Sequence, residues 1–498
     1  MTAPLCMSAT DYFITPEGAG EKTGSNWENA MGLTELLGKL SWNKTNDDHT
    51  NNVYYLSTGD YIFTKTGFIF NSGLTLKGGY DAATGELAAT GRTVFNGNGQ
   101  ARSNGALFLQ PNAIQDEAGK KRTVTISNID FENFVANGIW RDGNTNWNYG
   151  YASALYIVKC GYAEITDCNF RNNKCTATGT YQDENNKDDN EKATTQDKVM
   201  AGAVSLNRVN AIFRNCSFTG NTGTQGGAVK LFYCMGGKNV TKNLYTTFDG
   251  CYFANNSTND SGAAIMGRHT TQINLINTTI ANNNAAKNGG AVYINDPGYY
   301  SNVLNIVSST IAGNTAAKGS QVFTGGKGDL KVANSIIVAD GGVDAIADAS
   351  ATSGYKFQGN NFIGNVAEGY TKTESDMIGA DNTYAAIFGD NALAANGTIT
   401  PVKFVAGMAP DAIASIVAEE SWNFSVDSAV DQLGNARSAQ TSNGALAVKD
   451  TTTGIDAIAG DAAAEGDNAW YTLQGIRLAE RPAAKGIYIH NGHKYIIR

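Results

Sequence analysis

The chain has 498 residues, 57 of them glycine and 7 proline, with 17% charged residues and a net charge of −9. Charge content below the usual share of about a quarter, with raised glycine and abundant asparagine, points to turns rather than charged helices. The absence of a Gly-X-Y period excludes collagen, and no apolar run approaches the roughly 18 residues a membrane-spanning helix needs. The acidic balance excludes a nucleic-acid partner, which favours a basic footprint.

Residues 1–10 read as the remnant of a possible signal peptide, with Met7-Ser8-Ala9 at a plausible cleavage point. Residues 11–52 form an expected N-terminal cap. Its helix would be N-capped by Ser25 or Asn26 and would present Met31, Leu33, Leu36 and Leu37 as an apolar face.

From residue 53 the pattern becomes repetitive. An apolar residue precedes an asparagine by three positions in Phe170/Asn173, Phe218/Asn221, Phe253/Asn256, Ile280/Asn283 and Ile311/Asn314. A small-residue step follows each of the last four: Gly226-Gly227-Ala228-Val229, Ser261-Gly262-Ala263-Ala264, Gly289-Gly290-Ala291-Val292 and Gly319-Ser320-Gln321-Val322. Constant turns separated by loops of variable length are what stacked coils produce. The expected inward positions are Val204/Leu206, Val229/Leu231, Ala264/Met266 and Val292/Ile294. Ser205, Lys230, Ile265 and Tyr293 alternate with them and suit solvent. The fold class is therefore all-β: a right-handed parallel β-helix over 53–449, with strands of successive coils about 4.8 Å apart. Stacking places Asn173, Asn221, Asn256, Asn283 and Asn314 in a structural ladder, and Cys168, Cys216 and Cys251 in an inward column. Packing and turn chemistry account for both. Metal-site spacing is absent from the seven cysteines and four histidines.

The F-x-x-N and G-G-A-V pairs resemble the repeats of polymorphic outer-membrane proteins within the pectin-lyase-like superfamily. Residues 11–37 look like the opening segment of bacterial β-helix proteins. Asp431 to Arg437 and Asn443-Gly444-Ala445 look like a closing segment, with Asn443 where Ile or Val is usual. After a linker at 450–469, the β tail at 470–498 resembles the end of a type IX secretion sorting domain, with Leu473-Gln474-Gly475 and Lys485-Gly486-Ile487. That resemblance implies a secreted or surface-displayed protein of a Gram-negative bacterium, whose tail engages the secretion machinery.

Two insertions leave the same corner of consecutive coils, at 138–151 and 174–200. Long insertions on a rigid scaffold are where binding residues concentrate. Trp140, Trp147, Tyr149 and Tyr151 can stack on sugar rings, and Arg141 and Asp142 can bond hydroxyls or carboxylates. Asp183, Asn185 and Asp189 approach calcium-loop spacing, but Lys187 interrupts them. No other cofactor is indicated. Counting five residues beyond each repeat alanine gives a second surface: Lys159, Arg208, Tyr233, Arg268 and Asp296, with Lys230 nearby. A lyase of this fold would draw on Lys230, Arg208 and Arg268 for a base and for charge neutralisation. The expected function is that of a non-catalytic adhesin or glycan-binding protein, with a glycan or cell-surface ligand as partner. The alternative is a carbohydrate-active lyase or hydrolase on acidic polysaccharide.

Overall fold

In the computed structural model the described residues are 10–41, 48–102, 105–112, 122–136, 139–141, 148–150, 154–176, 201–232, 245–268, 272–295, 301–325, 327–340, 343–348, 354–366, 369–394, 398–419, 427–438, 441–449, 469–472, 477–478, 480–484, 486–490 and 493–497. The chain divides into two compact units, Met1–Val448 and Lys449–Arg498.

The first unit is a parallel β-solenoid. One coil shows the plan: Val204–Arg214 bends round a corner to supply two faces, Ser217–Thr219 supplies a third, and Thr222–Gly223 a short fourth. Val229–Phe232 then begins the next coil, in parallel register with Val204–Asn207. Corners need left-handed backbone, which Asn and Gly supply at least cost. Asn172, Gly220, Asn255, Asn282 and Gly313 all have φ between 54° and 65° and lie just before the ladder asparagines. Gly226 shows the constraint at the next corner: with φ +72°, a Cβ there would lie 2.6 Å from the Val229 carbonyl oxygen.

The core is a set of stacked columns. Phe131, Phe170, Phe218 and Phe253 stack almost parallel at centroid distances of 4.9, 4.9 and 4.5 Å, and Ile280 and Ile311 continue the column. Beside it runs a continuous amide ladder. Asn173, Asn221, Asn256 and Asn283 each donate from Nδ2 to the Oδ1 of the next asparagine at 2.8–3.0 Å. Asn314 ends the run on Gln321 at 2.7 Å. At the preceding corner Cys168, Cys216 and Cys251 are buried and unoxidised. Their column continues as hydroxyls: Thr278 accepts from the Cys251 N–H, Ser309 from Thr278 and Ser335 from Ser309. Burial pushes the Cys168 and Cys216 thiols well above their ordinary value.

Three expectations need correction. The capping helix is Leu33–Lys39 and does not begin at Ser25 or Asn26. Gly32 takes the N-cap place, and its N–H donates to the Glu35 carboxylate at 3.0 Å. Asn26 instead accepts from the Asn29 N–H in a turn. Leu33, Leu36 and Leu37 are buried against the first coils as an apolar plug. Second, Val229 is in register with Ile265, and Ile265 with Val292. Ile265 therefore faces inward and Met266 outward, one residue from the expected pair. The reason is the corner: the left-handed residue in this coil is Gly262 (φ +69°), equivalent to Gly226 and Gly289. Third, the outward positions Ser205 and Lys230 are fully buried rather than solvated.

The segment after 376 runs back along the third face. Ile387, Phe388, Ile399 and Val405 cover Ala281, Ala312, Ile336 and Phe362. The Arg437 guanidinium reaches Asn277 Oδ1 at 2.9 Å and the Gly444 carbonyl at 2.9 Å. Asn443 is buried and donates to the Asn360 and Ser335 carbonyls. An amide suits that place because two backbone acceptors converge there.

The second unit is a small antiparallel sheet in the order Arg477–Leu478, Trp470–Thr472, Gly486–His490, His493–Ile497. Trp470 stacks on His490 at 4.4 Å.

Candidate functional site

The first face carries Lys230, Arg208 and Arg268, the residues named for a lyase, on successive strands. One outward column runs Tyr156, Ser205, Lys230, Met266, Tyr293, Phe323 across successive strands. Lys230 is fully buried and its Nζ donates to Gln225 Oε1 at 2.7 Å. Burial brings the amine down to about 8, while Cys175 and Asp260 push it the other way. A charged group resists transfer out of water, so it shifts toward its neutral form. At neutral pH about a tenth of such an amine is unprotonated and able to accept a proton.

The neighbouring column holds Val158, Asn207, Phe232, Arg268 and Asn295. Asn207 is 6% exposed, and its Oδ1 has no hydrogen-bond partner among the described residues. Lys159 (φ +52°) and Arg208 (φ +55°) occupy the same left-handed corner of adjacent coils. The expected column is thus only partly assembled. Lys159 and Arg208 are neighbours, Arg208 is exposed, and Arg268 sits one residue earlier on the strand. Tyr233 and Asp296 lie outside the described residues.

The first insertion forms a hairpin: Ile139–Arg141 pairs antiparallel with Asn148–Gly150. Its register sets Trp140 opposite Tyr149 and Arg141 opposite Asn148. Asp142, Trp147 and Tyr151 lie outside the described residues. So does the second insertion beyond Thr176, including Asp183, Asn185 and Asp189. Among the described residues no group of three or more His, Cys, Asp or Glu could hold a metal ion, and no helix is long and apolar enough to cross a membrane.

Two charged groups on the outside escaped the sequence reading. On the third face Asp130, 1% exposed at its side chain, is held between Arg92 and Arg171, each at 2.7 Å. The aligned repeats carried a signal for this, since Glu132 and Arg171 occupy equivalent positions. At the corner between the second and third faces, Arg214 pairs with Asp249 at 2.7 Å. Burial, joined by repulsion from Asp427, pushes the Asp249 carboxyl up to about 6 against the pull of Arg214. No local pattern could have brought Asp427 to Asp249, because the two are far apart in sequence.

No family model matches the chain, and no curated protein matches it. Among solved structures, "Crystal structure of pectate lyase Pel9A" is similar over 89% of this chain and 97% of that chain, at 14% identity and a TM-score of 0.43. A structure titled "Glycoside hydrolase" is similar over 76% of this chain and 98% of that one, at 9% identity and a TM-score of 0.30. Likenesses this distant assign no residue a role. The class that the coordinates define is an all-β parallel β-solenoid protein with a separate C-terminal β-module.

Proposed function

We propose that the protein is a carbohydrate-active enzyme that cleaves acidic polysaccharide by β-elimination on the outer side of the first face. The observation that carries this reading is Lys230, an amine brought down to about 8 beside a neutral amide. In the proposed reaction its Nζ takes the proton next to a uronate carboxylate. The C–H electron pair forms a ring double bond as the C4–O glycosidic bond breaks, and the departing oxygen takes a proton from water. Arg268 and Arg208 neutralise the carboxylate and the charge that develops on it. Lys230 is fully buried, so turnover requires its amine to become accessible during binding.

The test is a panel of polygalacturonate, alginate and glycosaminoglycan substrates, read by the absorbance of unsaturated uronate products. Lys230→Met should abolish product formation without abolishing folding. Methionine keeps a stem of similar length, with sulfur in place of the δ-methylene and no amine, so the melting temperature is the control. Product formation by this variant at the wild-type rate would end the reading.

The complete burial of Lys230 favours one second reading, a non-catalytic glycan-binding adhesin that uses the hairpin with Trp140 opposite Tyr149. Binding to a glycan array without product from any substrate is the result that selects it. In either reading the ligand-binding surface works outside the cell, and the C-terminal module serves as an export signal. Deleting residues 470–498 should leave the protein in the periplasm; normal surface display of the deleted form would contradict this.

A further inference from the structure

The open part of the third face carries a group of side chains too well organised for a solvated sheet. Its outward column runs Asp60, Val94, Asp130, Asn169, Ser217, Tyr252 in parallel register. Arg92 gives Nε and Nη2 to Asp130 Oδ1 at 3.0 and 2.7 Å, and Nη2 also to the Asp167 carbonyl. Arg171 gives Nη2 to Asp130 Oδ2 at 2.7 Å, and Nε at 2.8 Å together with Nη2 to Glu132 Oε1. Asn169 donates to Asp130 and accepts from the Ser217 hydroxyl.

Asp130 is thereby roofed and fully spent, while the groups roofing it are not. The Arg92 and Arg171 side chains remain 36% and 41% exposed. Every bond of theirs uses Nε or Nη2, so their Nη1 groups have no partner among the described residues. Glu132, 20% exposed, accepts only at Oε1, which leaves Oε2 open. Two donors and one acceptor are thus fixed on a rigid sheet with their conformational entropy already lost. The half-buried ring of Tyr252 follows along the column. The closing segment ends the open strip there: Gln432 bonds the Cys251 carbonyl and the Thr279 hydroxyl.

The charges cancel locally, two guanidinium groups against two carboxylates, and Asp60 adds a negative charge at the far end. A polyanion gains no net attraction from such a strip. A neutral polyhydroxylated chain gains charge-assisted hydrogen bonds, with paired hydroxyls bridging Nη1 and Oε2, and an aromatic face for one ring. We propose that this strip is a binding site for neutral oligosaccharide, separate from Lys230 and independent of any activity there.

The experiment is calorimetric titration of the full chain with β-linked hexasaccharides of glucose, mannose, galactose and xylose, with a hexagalacturonate as the acidic counterpart. At least one neutral hexasaccharide should bind, and more tightly than the acidic one. Arg171→Lys keeps a positive charge against Asp130 and removes the fixed Nη1 donor, so affinity should fall about tenfold at an unchanged melting temperature. Glu132→Gln should weaken binding several-fold, and Lys230→Met should leave it unaltered. Binding of no neutral hexasaccharide, tighter binding of the acidic one, or wild-type affinity in both strip variants would each overturn the proposal.

Discussion

Asn256→Ala tests the physics of the solenoid directly. The Asn256 side chain is fully buried. Its Oδ1 accepts from the Asn221 N–H and Nδ2, both at 2.9 Å. Its Nδ2 donates to the Phe218 carbonyl at 2.9 Å and to Asn283 Oδ1 at 2.8 Å. Alanine removes these four bonds, but Asn283 Oδ1 keeps the Asn256 N–H at 3.0 Å and Asn221 Nδ2 keeps the Phe170 carbonyl at 2.9 Å. The Asn221 N–H and the Phe218 carbonyl are the two buried groups that lose their side-chain partner. At the low end of about 1 kcal/mol for each of these two buried groups, the loss is about 2 kcal/mol. A water molecule entering the vacated space would recover part of that. Asn255→Gly is the control, because Asn255 is exposed and already at φ +55°, where glycine fits without strain. Urea unfolding followed by far-ultraviolet circular dichroism should show a large fall in midpoint for Asn256→Ala and nearly none for Asn255→Gly. A loss below about 1 kcal/mol for Asn256→Ala would mean that the ladder accompanies the stack without holding it.

Asp249 sets a pH dependence. Its folded carboxyl titrates at about 6 against an ordinary 3.8, so between those values the native state holds the extra proton. Stability should therefore fall as pH rises through that window. Asp249→Asn should flatten that slope in urea midpoints measured at pH 4, 5, 6 and 7; parallel curves for variant and wild type would refute the assignment. Cys168, Cys216 and Cys251 should react with iodoacetamide only after unfolding, and fast labelling of the native protein would show the assigned column to be wrong. The raised Cys168 and Cys216 thiols stay protonated when folded, so stability should also decline as pH rises above the ordinary thiol value of 9.0, where only the unfolded chain ionises.

The interior was readable because each coil repeats the same local problem. A left-handed corner followed by an inward amide leaves Asn-Asn or Gly-Asn at a fixed place, as at Asn172-Asn173 and Gly220-Asn221. Register was lost only at Ser261, where a small residue in the turn imitated the glycine that follows it. The state of Lys230 was not readable. Alternation places its side chain outside the core, and the charged or ionisable groups that act on its amine, Cys175 and Asp260, come from neighbouring coils, which no window around residue 230 records. Asp249 fails for the same reason, since its titration depends on Asp427.

That division also says where function can lie in such a fold. Columns facing inward are nearly uniform from coil to coil, because one foreign residue there disturbs the coils above and below it. Outward columns have no such constraint, and there the sequence changes at every step: Asp130, Asn169, Ser217, Tyr252 on the third face, and Tyr156, Ser205, Lys230, Met266 on the first. Exposed polar variety alone would be ordinary surface. What separates these two columns from surface is cost. One keeps an amine out of water with a neutral amide as its hydrogen-bond acceptor. The other ties two arginines through a buried carboxylate that apolar packing could have replaced. Stability alone does not demand either arrangement, which is why both are the places to look for ligand.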